Sequence, residues 1–269
     1  MNSTAEKYIR KEALPFIFCP GCGHGIVVNS FIRAIDKLGM DNSRMACVSG
    51  IGCSSWSPVY LNFDCLHTLH GRALAQAEGL KAVNPDKTIV VFTGDGDCAG
   101  IGGNHLIHAA KRNVDMTVIM MSNYIYGMTG GQRAPTTPFG ATTKTSPLGN
   151  EERPFDMFAL VKGAGASFYA RASATHPIQL EKAIYEGIKH KGFSFIEVLS
   201  PCPTTAGRNI FNFKNPSEMY DWYEERCLLL KPGETESRDG RIGLGILFKD
   251  ESLEELCQVQ AEKKEAARK

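Results

Sequence analysis

The sequence predicts an α/β protein: a doubly wound, mainly parallel sheet with helices on both faces. Three observations carry that prediction. Short apolar runs of strand length alternate with longer stretches of helical periodicity along most of the chain, as in successive βαβ units. The runs are apolar at consecutive positions, as strands covered on both faces are. The two central runs stop at oxygen-bearing residues, Asp95 and Asn123, and the carboxyl ends of parallel strands open onto a common crevice.

Taken in order, residues 1–17 begin with a short helical pattern and run into Leu14-Pro15-Phe16-Ile17-Phe18, followed by Cys19-Pro20-Gly21-Cys22-Gly23-His24-Gly25. Ile26, Val27, Phe31, Ile32, Ile35 and Leu38 then recur at helical spacing until Gly39 stops the helix. Met45 to Ser49 reads as a buried strand entering the turn Gly50-Ile51-Gly52-Cys53-Ser54-Ser55. His67-Thr68-Leu69-His70-Gly71-Arg72 leads into a helix over residues 73–83, which Asn84-Pro85 ends. Thr88 to Phe92 and Met116 to Met121 are the central strands, with a helical pattern from Leu106 to Arg112 between them. Thr129 to Arg153 is a polar loop rich in Gly, Pro and Thr, and loops of that length in a compact domain usually serve function. A helix over 154–162, a strand over 166–170, a helix from His176-Pro177 to Lys189 and a strand over 193–199 complete the alternation. That last strand runs into Ser200-Pro201-Cys202-Pro203-Thr204. Residues 219–230 read as helical, and 252–269 as a charged amphipathic tail.

Composition narrows the function. A chain of 269 residues buries about three quarters of its unfolded surface, enough for a large core. The net charge of +1 gives no footing for nucleic acid or an acidic membrane as partner. There is no run of about 18 apolar residues and no apolar core to an N-terminal signal, so the expected compartment is the cytoplasm. Nine cysteines in such a chain point to metal or redox use more than to a disulfide framework.

Two constellations carry chemistry. Asp95 and Asn123, a carboxylate and an amide at neighbouring strand ends, suit a hard cation such as Mg2+, which carries phosphates with it. The glycines from Gly94 to Gly103 let backbone N–H groups approach such phosphates beside a helix N-terminus. Cys19-x-x-Cys22 alone fits a redox dithiol, half a zinc site or part of an iron–sulfur site. Cys53 and Cys202 each follow a strand, at the same crevice edge, and four thiolates there suffice for a [4Fe–4S] cluster. The alternative is that Cys53 and Cys202 are small core residues. Cys47 and Cys98 read as core or cavity-wall residues; Cys65, Cys227 and Cys257 have no evident role.

Gly94-Asp95-Gly96 followed downstream by Asn123 resembles the thiamine diphosphate motif, with Ser122 where that pattern often has a first asparagine. With it occur, in order, Cys19-Pro20-Gly21-Cys22-Gly23-His24, Gly50-Ile51-Gly52-Cys53-Ser54, His70-Gly71-Arg72, Tyr126-Gly127-Met128-Thr129-Gly130-Gly131-Gln132 and Ser200-Pro201-Cys202-Pro203-Thr204. Together, over residues 8 to about 210, they resemble the beta subunit of 2-oxoacid:ferredoxin oxidoreductases, closest to the 2-oxoglutarate type.

The expected division is a thiamine diphosphate and iron–sulfur domain over residues 1–215, with 216–269 a helical extension packed on it or partly mobile. Cys19, Cys22, Cys53 and Cys202 would ligate a [4Fe–4S] cluster. Asp95, Asn123 and the backbone oxygen of Ile125 would hold Mg2+. Gly96, Asp97, Gly127 and Met128 would meet the diphosphate, and the turn Ile51, Gly52, Cys53 and Ser54 the thiamine. His70 is the expected catalytic residue near the reactive carbon. Relatives with acidic substrates often carry a basic residue three positions after the third cysteine; here that position is Trp56, leaving Arg72 and Arg133 as nearby positive charge.

The implied reaction is oxidative decarboxylation of a 2-oxoacid with coenzyme A, electrons going to ferredoxin, or the reverse. No glutamate sits in a thiamine-activating motif, and the family places that glutamate on an alpha subunit. The expected partners are therefore an alpha subunit, gamma and ferredoxin-like delta subunits, and ferredoxin. Two alternatives stand beside this reading: the same reaction on pyruvate or another 2-oxoacid, and a non-redox thiamine decarboxylase or carboligase with structural zinc.

Overall fold

The computed structural model describes residues 3–236 and 239–268. The chain opens with helix α1 (Ser3–Tyr8) and reaches α2 (His24–Lys37) through the first cysteine loop. Strand β1 (Met45–Ser49) leads into a 3-10 segment, Cys53–Tyr60, then β2 (Asp64–His67) and α3 (Ala73–Val83). Strand β3 (Thr88–Gly94) passes through a π-helical turn, Gly96–Ile101, into α4 (Gly103–Lys111) and β4 (Met116–Ser122). A two-stranded ribbon, β5 (Ile125–Tyr126) with β6 (Gln132–Arg133), opens the long loop. Then come α5 (Met157–Gly163), β7 (Phe168–Ser173), α6 (Pro177–Lys189) and β8 (Phe193–Leu199). The chain closes with α7 (Ala206–Asn209), α8 (Pro216–Arg226), β9 (Cys227–Leu229), β10 (Ile242–Lys249) and α9 (Leu256–Ala266).

Eight strands form one sheet in the order β2-β1-β3-β4-β8-β7-β10-β9. The six from β2 to β7 run parallel, and β10 lies antiparallel to β7. Side chains alternate between faces, as the strand period of two requires. Cys47, Val90 and Phe92 enter the core under α2 and α6, where Phe31 meets Phe92 edge-on with centroids 5.0 Å apart. Ala46, Val48, Ile89 and Val91 enter the opposite core under α3, α4 and α5. The doubly wound architecture is the one the alternation of periods predicts.

Residues 216–269 differ from the helical extension the sequence suggests. Strands β9 and β10 of that segment extend the sheet, Ile242 to Leu244 pairing with Cys227 to Leu229 and Gly245 to Lys249 with β7. The run Ile242-Gly243-Leu244-Gly245-Ile246-Leu247-Phe248 has strand composition, but its two glycines read as turn signals. Gly243 serves packing: a Cβ there would lie 2.5 Å from Leu230 Cδ1.

The parallel register sets the crevice. Ser49 pairs with Phe92, Gly94 with Met121 and Ser122 with Leu199, so β1, β3, β4 and β8 end nearly level. The residues just beyond those ends are Gly50 to Ser54, Asp95 to Asp97, Asn123 to Ile125, and Ser200 to Cys202.

Candidate active site

The crevice holds a pocket lined by Ile51, Gly52, Cys53, Ser54, His70, Asp95, Gly96, Asp97, Asn123, Ile125, Gly127 and Met128, among others. It thus gathers residues from both constellations. Asp95, 2 % exposed, receives Gly96 N–H and Tyr124 N–H, each at 2.9 Å, and the Thr136 hydroxyl. Burial pushes its carboxyl up to about 6, against those hydrogen bonds. Asn123 is likewise buried, and its Oδ1 accepts Ile125 N–H at 3.2 Å. Between them Tyr124 takes a left-handed φ of 66°, a strained setting of the kind held at functional sites.

The π-helical turn Gly96–Ile101 carries the glycine-rich stretch away from β3, and such turns recur at functional sites. The Tyr126 hydroxyl donates to Gly96 carbonyl oxygen at 2.9 Å, and a Cβ on Gly96 would lie 2.3 Å from the Tyr126 ring. Only glycine admits that close approach. Asp97 is buried and turned toward His70, with Oδ1 and Nδ1 2.5 Å apart.

The four cysteines of the second constellation are neighbours. Gly23 N–H donates to Pro201 carbonyl oxygen at 2.9 Å, joining the Cys19–Cys22 loop to the Cys202 loop. His24 Nδ1, 2.7 Å from Ser200 Oγ, ties them again from a buried position beside the pocket. The thiols lie within electrostatic reach of one another: Cys22 feels Cys202, Cys53 and Cys19. Desolvation, then those neighbours, pushes the Cys22 thiol up to about 12 and the Cys53 thiol up to about 11. Neutral in isolation, such thiols ionise when a metal takes them as ligands. Among the described residues no three His, Cys, Asp or Glu side chains converge closely enough on one point to hold a single ion. Four thiols so grouped form a candidate metal centre. Cys202 Sγ would lie 3.8 Å, and Asn123 Nδ2 3.7 Å, from a Cβ on Gly127, so the thiol group borders the carboxylate and amide group.

Other residues singled out in the sequence fall elsewhere. Trp56, Arg72 and Arg133 do not line the pocket. Trp56 sits at the surface of the 3-10 segment. Arg72 Nη1 reaches the Ile101 carbonyl oxygen at 3.4 Å. Arg133 pairs with Glu152 at 2.7 Å and reaches Asn150, so its charge is answered within the long loop. Cys47 and Cys98 are buried, as read. The long loop is tied down: Thr137 hydroxyl donates to Tyr124 carbonyl oxygen at 2.6 Å, and Asn150 Nδ2 to Thr137 and Glu152 carbonyl oxygens at 2.9 Å. Thr136, Tyr126 and the use of Asp97 by His70 escaped the sequence reading. Thr136 has no signal in a polar loop; Asp97 had one, the glycine at 50 that makes room for its carboxylate.

Comparisons with known proteins agree with this geometry. Residues 50–198 match the family described as thiamine pyrophosphate enzyme, C-terminal TPP binding domain. The chain is 51% identical over 258 residues to 2-oxoglutarate synthase subunit KorB of Methanothermobacter thermautotrophicus, covering 94% of this chain and 88% of that one. It is 49% identical over 259 residues to the protein of the same name from Methanocaldococcus jannaschii, covering 94% and 95%. Its fold superposes with a TM-score of 0.90 and 34% identity on the 2-oxoglutarate:ferredoxin oxidoreductase of Magnetococcus marinus, solved with 2-oxoglutarate, coenzyme A and succinyl-CoA bound, over 99% of this chain and 91% of that one. With a thiamine-type pocket and a neighbouring thiol group on the same crevice, the chain belongs to the thiamine pyrophosphate enzymes, among the beta subunits of the 2-oxoacid:ferredoxin oxidoreductases.

Proposed function

We propose that the chain is the catalytic subunit of a complex converting 2-oxoglutarate and coenzyme A to succinyl-CoA and carbon dioxide, with two electrons passed to ferredoxin, or the reverse. The observation that carries the proposal is the single pocket that joins Asp95, Asn123 and the Gly96 turn to Cys53. The relatives' names supply the substrate. No described helix is long and apolar enough to cross a membrane.

Thiamine diphosphate bound there would supply an electron sink for decarboxylation, and a [4Fe–4S] cluster would supply one-electron acceptance. Asp95, Asn123 and the Ile125 backbone oxygen hold Mg2+. The buried Asp95 fits a cation: in its absence the carboxylate is costly to ionise, and Mg2+ takes oxygen ligands. Gly96, Asp97, Gly127 and Met128 would meet the diphosphate, whose charge the cation would offset. The turn from Ile51 to Ser54 would border the thiamine, and Cys19, Cys22, Cys53 and Cys202 would ligate the cluster. His70 acts on the substrate.

A partner alpha subunit completes the site. The pocket lining carries two aspartates and no glutamate among the described residues. Ile51 and Met128 line it while 39% and 50% exposed, an apolar rim of the kind obligate interfaces bury. Trp56 and Arg72 remain candidates for contact with the distal end of the 2-oxoacid.

The test is a panel of 2-oxoacids offered to the reconstituted complex with coenzyme A and a viologen acceptor. Fastest reduction with 2-oxoglutarate is expected. Preference for pyruvate would overturn the substrate, and decarboxylation without acceptor reduction would favour the non-redox class.

A further inference from the structure

Asp97 is 3 % exposed and its carboxylate is fully engaged by the protein. Oδ1 accepts Gly71 N–H at 2.7 Å and Ile51 N–H at 3.3 Å, and stands 2.5 Å from His70 Nδ1. Oδ2 accepts the Thr93 hydroxyl at 2.7 Å. A Cβ on Gly50 would lie 2.0 Å from Oδ2, so the end of β1 admits this carboxylate only as glycine. Burying an ionised carboxylate costs several kcal/mol unless hydrogen bonds answer it. Here four protein groups do so, and none of them belongs to a ligand.

Both Asp97 oxygens already accept, Oδ1 from Gly71 N–H and Oδ2 from the Thr93 hydroxyl, so the hydrogen in the bond to His70 sits on Nδ1. Nε2 is then the ring nitrogen left for the pocket that His70 lines, and it has no partner among the described residues. The Tyr126 ring stands edge-on to the imidazole, centroids 6.0 Å apart, and limits the orientations the imidazole can take.

We propose that the Asp97 carboxylate is a positioning group for His70, fixing its Nδ1–H tautomer so that Nε2 meets the 2-oxo group of the substrate. The inference rests on the pocket being the substrate site, and it deepens that reading: the Asp97 backbone serves the diphosphate while its side chain serves the histidine. A buried acid holding one imidazole nitrogen so that the other works is the second-sphere logic of catalytic and metal-bound histidines.

The experiment uses the assembled complex with [15N]histidine in this chain. The His70 signal is identified by its loss in His70→Gln. In the wild type it should report Nδ1 protonated and Nε2 bare or both protonated; Nε2–H with bare Nδ1 overturns the proposal whatever the variants do. Asp97→Asn offers an amide in place of the acceptor. It should lower kcat by about 10²- to 10⁴-fold, while KM for the 2-oxoacid and the affinity for thiamine diphosphate stay within about threefold. His70→Gln should lose as much, and the double variant no more than the larger single loss, because groups acting as a unit are not additive. A tenfold or greater loss of cofactor affinity in Asp97→Asn with kcat intact would show the carboxylate serves the cofactor. Multiplying losses in the double variant would show that the two residues act separately. A complex that turns over no 2-oxoacid defeats the functional reading alone; the tautomer then still decides the pairing of Asp97 with His70.

Discussion

Replacing Asp95 separates the cation site from the fold. The carboxylate both faces the pocket and accepts Gly96 N–H, Tyr124 N–H and the Thr136 hydroxyl. Asp95→Ala removes the charged ligand. One charge-assisted contact is worth about 1.5–3 kcal/mol, or roughly 10- to 150-fold in thiamine diphosphate affinity in the presence of Mg2+. The same change strands three donors in a buried turn, at a further cost to stability of about 1–3 kcal/mol. The loss falls on Tyr124, whose left-handed φ needs the surrounding bonds to hold it. Asp95→Asn keeps the shape and one acceptor oxygen but not the charge. It should therefore lose most of the affinity and less of the stability than Asp95→Ala, its amide nitrogen facing Gly96 N–H while its oxygen keeps Tyr124 N–H and the Thr136 hydroxyl. Titration calorimetry on the assembled complex reads the first effect and denaturant unfolding of the chain the second. Unchanged cofactor affinity in both variants would refute the assignment of Asp95 to the cation.

Three further perturbations reach other parts of the account. Cys202→Ser should lose most of the iron and the visible absorbance of an anaerobically purified complex, while Cys257→Ser, on the charged terminal helix, should lose neither; full iron in Cys202→Ser would remove that residue from the cluster. Gly50→Ala forces a Cβ to within 2.0 Å of Asp97 Oδ2, and should cost turnover at least tenfold even where the chain folds; wild-type kcat would contradict the close packing around Asp97. His190 lies far from the crevice, buried with Nε2 2.7 Å from Ser167 Oγ, and burial lowers its basicity. The unfolded imidazole protonates near 6.5 while the folded one resists, so below about pH 6.5 the unfolded state binds more protons and stability falls as pH drops. His190→Gln should flatten that acid limb, and an unaltered slope would assign it to other groups.

How much was legible depended on whether a residue's partner is near in sequence. Strands buried on both faces announce themselves as continuous apolar runs, and β1 and β8 fall where the runs 45–49 and 193–199 place them. The edge strand β2 does not: Asp64-Cys65-Leu66-His67 is exposed throughout, and only its pairing with β1 makes it a strand. Strand β10 went unread: Gly243 and Gly245 weaken its strand signal, and the packing of Leu230 against Gly243 appears only in the fold. At the site, Asp95, Asn123 and the cysteines were visible because turn glycines and prolines surround them at strand ends. Arg133 was not, because its partner Glu152 comes from the far side of a loop whose path no periodicity reveals. The Asp97–His70 contact joins residues 27 apart beside Gly50, whose meaning is steric, and sterics appear only in three dimensions.

The central claim is that this chain carries the diphosphate-binding half of a thiamine site beside an iron–sulfur cluster, and that a partner subunit completes it. The most direct measurement is carbon dioxide release from 2-oxoglutarate, with viologen reduction in step, by this chain alone, by the alpha subunit alone and by the two together under anaerobic conditions. The account predicts turnover only in the mixture, in the presence of coenzyme A, thiamine diphosphate and Mg2+. Robust turnover by the isolated chain, with the alpha subunit rigorously absent, would contradict it.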